Sequence, residues 1–242
     1  MIKIENVEVI GWEHAIRGMR NPMNSWEKSD SEFIRDPDYG CSGNCPCEDI
    51  DGHCDCCFIG PNDLDLMKRL RNAGTDHRKF MRMIIVYMDI TAPLYWWKEF
   101  DTYKVGTVAN SCSTMHKIAA KEFTLDDFSH EHLIAREKPL IKYTPGTDVE
   151  ELPNAIWLIH RTIQTLNQYR NLYLQTKDKK YWWQMIQLLP SSYNQKRTVM
   201  LNYEVLANIY KSRKGHRLDE WKMFLDFVET LPYCELITGV KK

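Results

Sequence analysis

Apolar residues near the start of the chain fall at Ile2, Ile4, Val7 and Val9, a near-alternation through residues 2–10 that predicts a strand. Residues 12–20 shift to helical spacing, and Asn21-Pro22 stops them. From 23 to 61 the chain is polar, acidic and thiol-rich with no clear period. A loop of that length inside a compact domain needs a function or a metal to order it. "GPNDLDLMKRLRNAG" restores the helical period: Asn62 or Asp63 can cap it, Leu64, Met67 and Leu70 mark one face, and Gly74 ends it. "KFMRMIIVYMDIT" then reads as a strand with a buried middle. Pro93 opens the helix "PLYWWKEFDTY", with its missing N–H at the first helical position.

Residues 105–118 are small and hydroxyl-rich and fit no element by pattern. Within the polar stretch 119–150, Thr124 followed by Asp127 has the spacing of a capping box. Beyond Leu152, Ile156, Ile159, Ile163, Leu166 and Tyr173 form one stripe of a long amphipathic helix. A further helix over 178–189 closes at Pro190. "YNQKRTVMLN" reads as a strand or extended turn, and helices over 202–213 and 217–230 follow. The last of these carries Leu218, Trp221, Leu225 and Val228 on one side. The fold class expected is α+β: a mixed sheet with a helix-rich second half. It is expected as one domain over residues 1–242 with a Cys-rich insertion at about 37–59.

Composition narrows the function classes. Of 242 residues, 43 % are apolar and 27 % charged, and the formal net charge is −1, so the chain as a whole is not built to coat nucleic acid or an anionic membrane. "MIKIENVEVIGW" lacks the continuous apolar core of a signal peptide, and the run "MIIVYM" is too short to span a bilayer. A cytoplasmic protein is expected, and in that compartment thiols stay reduced.

Reduced thiols matter because "GCSGNCPCEDIDGHCDCC" holds six of the 8 cysteines: Cys41, Cys45, Cys47, Cys54, Cys56 and Cys57. Cys41 and Cys45 have the spacing of a zinc knuckle, while the C-x-C pairs suit a clustered thiolate site. The spacing matches neither common ferredoxin pattern of an iron–sulfur protein. Zinc or an iron–sulfur cluster held structurally, and an acidic loop with free thiols, both stand as readings. A second constellation is basic: Arg197, Asn202, Lys211, Arg213, Lys214, His216 and Arg217 crowd one span. A cation at a helix end such as Arg213 is favoured by the macrodipole in any case. The same guanidinium can bind a phosphate or a base carbonyl in a bidentate way. His77, beside Arg78 and Lys79 at a loop-to-strand junction, is a third candidate for a phosphate contact. No Walker loop, Rossmann glycine fingerprint or Ser-His-Asp order is present.

The order of these features resembles the flavin-dependent thymidylate synthase family. His77 precedes Ala92 of "APLYWW" at the family's spacing, and Leu189-Pro190 is followed by Asn202 and Arg213 at the family's spacing. His216 and Glu220 in "RKGHRLDEW" resemble the end of the same region. The likeness covers about residues 62–118 and 186–224, and more faintly 10–24. Where the family carries R-H-R, this chain has Thr102-Tyr103-Lys104; the downstream Ser is Cys112, and the Arg-Tyr after it is Thr114-Met115.

The resemblance implies FAD as cofactor and a pyrimidine nucleotide, dUMP, as substrate, with folate and NADPH as co-substrates and a homotetramer as the working form. It implies that Arg213 binds the pyrimidine carbonyls and stabilises charge on the ring, as the catalytic and substrate-binding residue. His77 and Asn202 would face the flavin. Lys104, with Thr107, would stand near a phosphate, and Lys196 and Arg197 are further phosphate candidates. Trp96, Trp97 and Tyr103 would border flavin or folate, with core packing the competing place for at least one tryptophan. The altered R-H-R segment keeps a second expectation open: a nucleotide-binding or structural relative that has lost flavin.

Overall fold

The computed structural model describes residues 1–33, 57–135, 140–142, 150–152 and 154–239. Along the chain run β1 (Lys3–Ile10), α1 (Trp12–Arg20), β2 (Glu32–Phe33), β3 (Cys57–Phe58), α2 (Pro61–Asn72), β4 (Ile85–Pro93), α3 (Leu94–Phe100), β5 (Val108–Ser111) and α4 (Thr114–Lys117). Then follow β6 (Leu140–Lys142), β7 (Glu150–Leu152), α5 (Ala155–Thr176), α6 (Lys179–Leu188), β8 (Asn194–Asn202), α7 (Tyr203–Arg213), α8 (Asp219–Val228) and α9 (Glu235–Thr238). The chain divides into two compact units. One comprises Met1, Ala92–Lys98 and Cys112–Gln195; the other comprises Ile2–Thr91, Glu99–Ser111 and Lys196–Lys242.

The main sheet has the order β1-β4-β8-β5. β1 with β4 and β5 with β8 are antiparallel pairs. The Tyr203 amide donates to the Ile84 carbonyl and the Leu94 amide to the Tyr193 carbonyl, so β4 and β8 also run in opposite directions. The α+β class holds, with the sheet antiparallel where a mixed one was expected.

In the larger unit, alternate residues of each strand face the core. Val86, Met88 and Ile90 on β4 and Val199 and Leu201 on β8 are buried. Leu206 and Ile209 of α7 are buried too, and Trp12 of α1 meets Tyr203 edge-on at 5.2 Å. Gly11, with φ +94°, makes the turn from β1 into α1; a Cβ there would lie 2.1 Å from the Met83 carbonyl oxygen, so only glycine fits. In the smaller unit, Ile159, Ile163 and Leu166 of α5 pack with Met185 of α6 and with Ile118, Phe123 and Phe128. Thr124 and Asp127 form the expected capping box, here on a 3-10 turn over Leu125–Asp127.

Three local expectations change. "KFMR" belongs to a 3-10 turn over Arg78–Arg82, and β4 starts only at Ile85. Pro93 ends β4, and the helix begins at Leu94. Trp96 and Trp97 are both core residues, at 0 % and 1 % exposure, so neither is available to a cofactor. No described helix is long and apolar enough to cross a membrane.

Candidate functional site

α7 organises the expected residues of the larger unit. Asn202 caps it: the side-chain oxygen accepts from the Val205 amide at 3.0 Å, satisfying one of the four orphan donors of the helix start. The Asn202 side chain is 8 % exposed. Gly106 lies against this cap, since a Cβ on it would stand 3.1 Å from both Asn202 Nδ2 and Val205 Cγ2. That close approach sets the turn over residues 104–107, in which the Lys104 carbonyl accepts from the Thr107 amide at 3.3 Å. Lys104 is exposed and makes no ion pair with a described residue. Thr107 Oγ1 is buried and has no hydrogen-bond partner among the described residues. A buried hydroxyl left unpaired costs free energy, so this atom is a natural place for a ligand oxygen.

The first turn of α7 also carries Glu204, which takes Arg78 at 3.1 Å and Arg82 in a second, shorter contact. Burial pushes the Glu204 carboxyl up, but the hydrogen bonds from Arg82 and Arg78 outweigh it and hold the group below the usual carboxylate range. These two arginines therefore fix the turn that follows His77. His77 itself is exposed, and its side chain engages no described residue.

At the far end of α7, Arg213 is held by three residues, Tyr103, Glu99 and Trp221. Its Nε donates to Tyr103 Oη at 2.9 Å and its Nη1 to Glu99 Oε2 at 2.8 Å. The guanidinium carbon stands 4.6 Å from the centre of the Trp221 ring and 5.4 Å from that of Tyr103. Glu99 Oε2 also accepts the Trp221 indole N–H at 2.9 Å and lies 3.3 Å from His216 Nε2. The Leu218 amide donates to His216 Nδ1 at 3.2 Å, so the neutral ring carries its proton on Nε2, toward Glu99.

Lys196 and Arg197 pair with carboxylates other than Glu99. Arg197 pairs with Asp101 at 2.9 Å. Lys196, the preceding strand residue, projects from the opposite sheet face and pairs with Asp89 at 3.0 Å and Glu5 at 3.8 Å. Hydrogen bonds from Thr198 and Asn6, with Lys196 nearby, bring Asp89 down to about 2. Both cations thus have carboxylate partners, which weakens their pull on any further anion. The six clustered cysteines lie outside the described residues, apart from the backbone of Cys57 in β3. Among the described residues no group of three or more His, Cys, Asp or Glu could hold a metal ion. Sequence reasoning missed Glu99 altogether, and it placed Tyr103 beside a cofactor rather than on Arg213.

The chain has the fold of the flavin-dependent thymidylate synthases. Thymidylate synthase X of Helicobacter pylori, solved with FAD and dUMP, superposes with a TM-score of 0.61 over 98 % of this chain and 97 % of its own, at 12 % identity. A second structure of that enzyme with the same two ligands gives 0.62 over 99 % and 100 %, at 13 % identity. The UMP/dUMP methylase PolB of Streptomyces cacaoi, bound with 5-Br dUMP, gives 0.58 over 99 % and 95 %, at 14 % identity. No protein-family model and no curated protein sequence matches the chain.

Proposed function

We propose that the protein is a flavin-dependent enzyme of the thymidylate synthase type that methylates the uracil ring of a pyrimidine nucleotide, dUMP or a close variant. The observation that carries this reading is Arg213. It is an arginine fixed in place by Glu99, Tyr103 and Trp221, with donors on Nη2 that engage no described residue, on a fold shared nearly end to end with proteins solved with FAD and dUMP. Arg213 binds a pyrimidine carbonyl and stabilises negative charge there as the ring is activated. Lys104, Thr107 Oγ1 and the Asn202 amide nitrogen fit an anionic or carbonyl-bearing ligand, because each offers a donor that engages no described residue. His77 and Asn202 are assigned to the flavin side and Lys104 and Thr107 to a phosphate.

When bound, FAD supplies the hydride chemistry that no side chain can. The chain's own part is to bind, orient and polarise. A folate carbon donor, NADPH as reductant, a homotetramer and a cytoplasmic setting belong to the same proposal. Its test is the visible spectrum of the purified protein during FAD titration. Bound-flavin absorbance with saturable dUMP binding is expected; a colourless protein that takes up no FAD overturns the enzyme reading.

One observation favours a second reading. Tyr103, in the middle of the altered R-H-R segment, is committed to Arg213 and cannot serve as that motif's histidine would. A nucleotide-binding relative without flavin would bind dUMP by calorimetry while failing the FAD titration.

A further inference from the structure

A guanidinium offers five N–H donors in one plane. On Arg213, Tyr103 takes Nε and Glu99 takes one donor of Nη1, while the Trp221 and Tyr103 rings stand 4.6 Å and 5.4 Å from its guanidinium carbon. The donors on Nη2 engage no described residue, and the side chain is 17 % exposed. Glu99 is held in turn, because the same carboxylate oxygen accepts from Trp221 and faces His216.

This arrangement changes what Arg213 can recognise. A guanidinium with a carboxylate at 2.8 Å keeps its directional donors but loses most of its long-range pull on an anion. A phosphate arriving at Nη2 would also meet the Glu99 carboxylate, whereas a neutral carbonyl oxygen meets no such repulsion. Lys104, adjacent to Tyr103, is an exposed cation with no carboxylate partner among the described residues. We propose that Glu99 is the positioning residue for Arg213 and that it makes Arg213 a reader of a neutral ring carbonyl rather than a phosphate clamp. The proposal rests on the nucleotide-binding reading above and assigns a role to a residue that reading does not use.

The test compares Glu99→Gln and Glu99→Ala with the unaltered protein, by two measurements. The first is nuclear magnetic resonance of the arginine side chains, with the Arg213 Nη1–H that donates to Glu99 assigned from its absence in Arg213→Lys. A protected resonance is expected in the unaltered protein and in Glu99→Gln, whose amide oxygen still accepts, and its loss is expected in Glu99→Ala. The second is calorimetry with dUMP. Glu99→Ala is expected to weaken binding by roughly ten- to a hundredfold, the scale of a charge-assisted hydrogen bond, with Glu99→Gln recovering most of it.

A phosphate clamp gives the opposite sign: removing the neighbouring negative charge tightens dUMP binding in both variants, and that result overturns the proposal. So does an Arg213 resonance unaffected by Glu99→Ala. If the unaltered protein binds no dUMP, the nucleotide reading fails, and the Arg213 resonance alone decides whether Glu99 positions that side chain.

Discussion

Arg20 donates its Nε–H to Asp63 Oδ1 at 2.7 Å, and the two side chains are only 5 % and 0 % exposed. The other carboxylate oxygen of Asp63 accepts from Ser29 at 2.7 Å, Ser31 at 2.6 Å and the Asp30 amide at 3.2 Å. Arg20 also reaches the Ser25 and Lys28 carbonyls. A single buried ion pair therefore joins the end of α1, the start of α2 and residues 25–31 between them.

Removing one partner leaves a buried charge uncompensated, so Asp63→Ala is expected to cost about 3–5 kcal/mol of stability. Burial alone would raise the Asp63 pKa, but hydrogen bonds from Ser31, Ser29 and Arg20 outweigh it and hold the group below its ordinary value. A depressed carboxylate contributes stability that is present above its unfolded pKa of about 3.9 and is lost as pH falls through the folded value. Urea melts at neutral and acid pH check this. The stability difference between the unaltered protein and Asp63→Asn should shrink at acid pH; a constant difference contradicts the assignment.

Tyr210 donates to Glu229 at 2.5 Å, and that hydrogen bond, ahead of burial, raises the phenol to about 12. The sign is opposite to that of Asp63. Stability from this contact is fully present below the unfolded phenol pKa of about 10 and is lost as pH rises through the folded one. Ultraviolet titration of the unaltered protein against Tyr210→Phe isolates this one phenol. Its transition should move down toward the ordinary tyrosine value in Glu229→Gln.

Gly106 holds φ +80° with Asn202 and Val205 close above it. Gly106→Ala combines a left-handed backbone with a Cβ at 3.1 Å from the cap of α7, and is expected to cost about 1–2 kcal/mol. Because the strain falls on the Asn202 cap, hydrogen exchange at the Val205 amide should speed up more than exchange deep in β8. Uniform acceleration would mean that the turn does not bear on the cap.

How much of this was legible in the sequence depended on whether local pattern or tertiary contact decides each element. Helices α5 to α8, and α1 and α2, follow from apolar spacing because one face of each is buried, whereas the four-residue α9 is too short to show a period. β5 escaped notice because Val108–Ser111 is exposed at all four positions and holds its place through pairing with β8. The turn over Arg78–Arg82 passed for a strand because its buried Phe80 and Met81 precede a genuine apolar run, while the contacts that shape it go to Glu204. Arg213 stood out by type and position. Glu99 did not, since it meets Arg213 across 114 residues of sequence and no local pattern announces such a partner.

Arg213 also carries the most direct prediction about binding. Truncating it to Ala removes the Nη2 donors proposed for the ring carbonyl, the contact to Tyr103 and the counter-charge of Glu99 together. Loss of a charged hydrogen bond to the ligand alone weakens dUMP binding by about 1–3 kcal/mol. The stranded Glu99 carboxylate adds repulsion toward the nucleotide phosphate, so the loss should exceed that of Lys104→Ala at high salt, where an exposed lysine is screened and a half-buried pair is not. Calorimetric titration with dUMP at low and high salt separates the two residues. Lys104→Ala should lose its effect as salt rises, while Arg213→Ala keeps most of its own. An Arg213→Ala protein that binds dUMP with unchanged affinity would remove Arg213 from the substrate site.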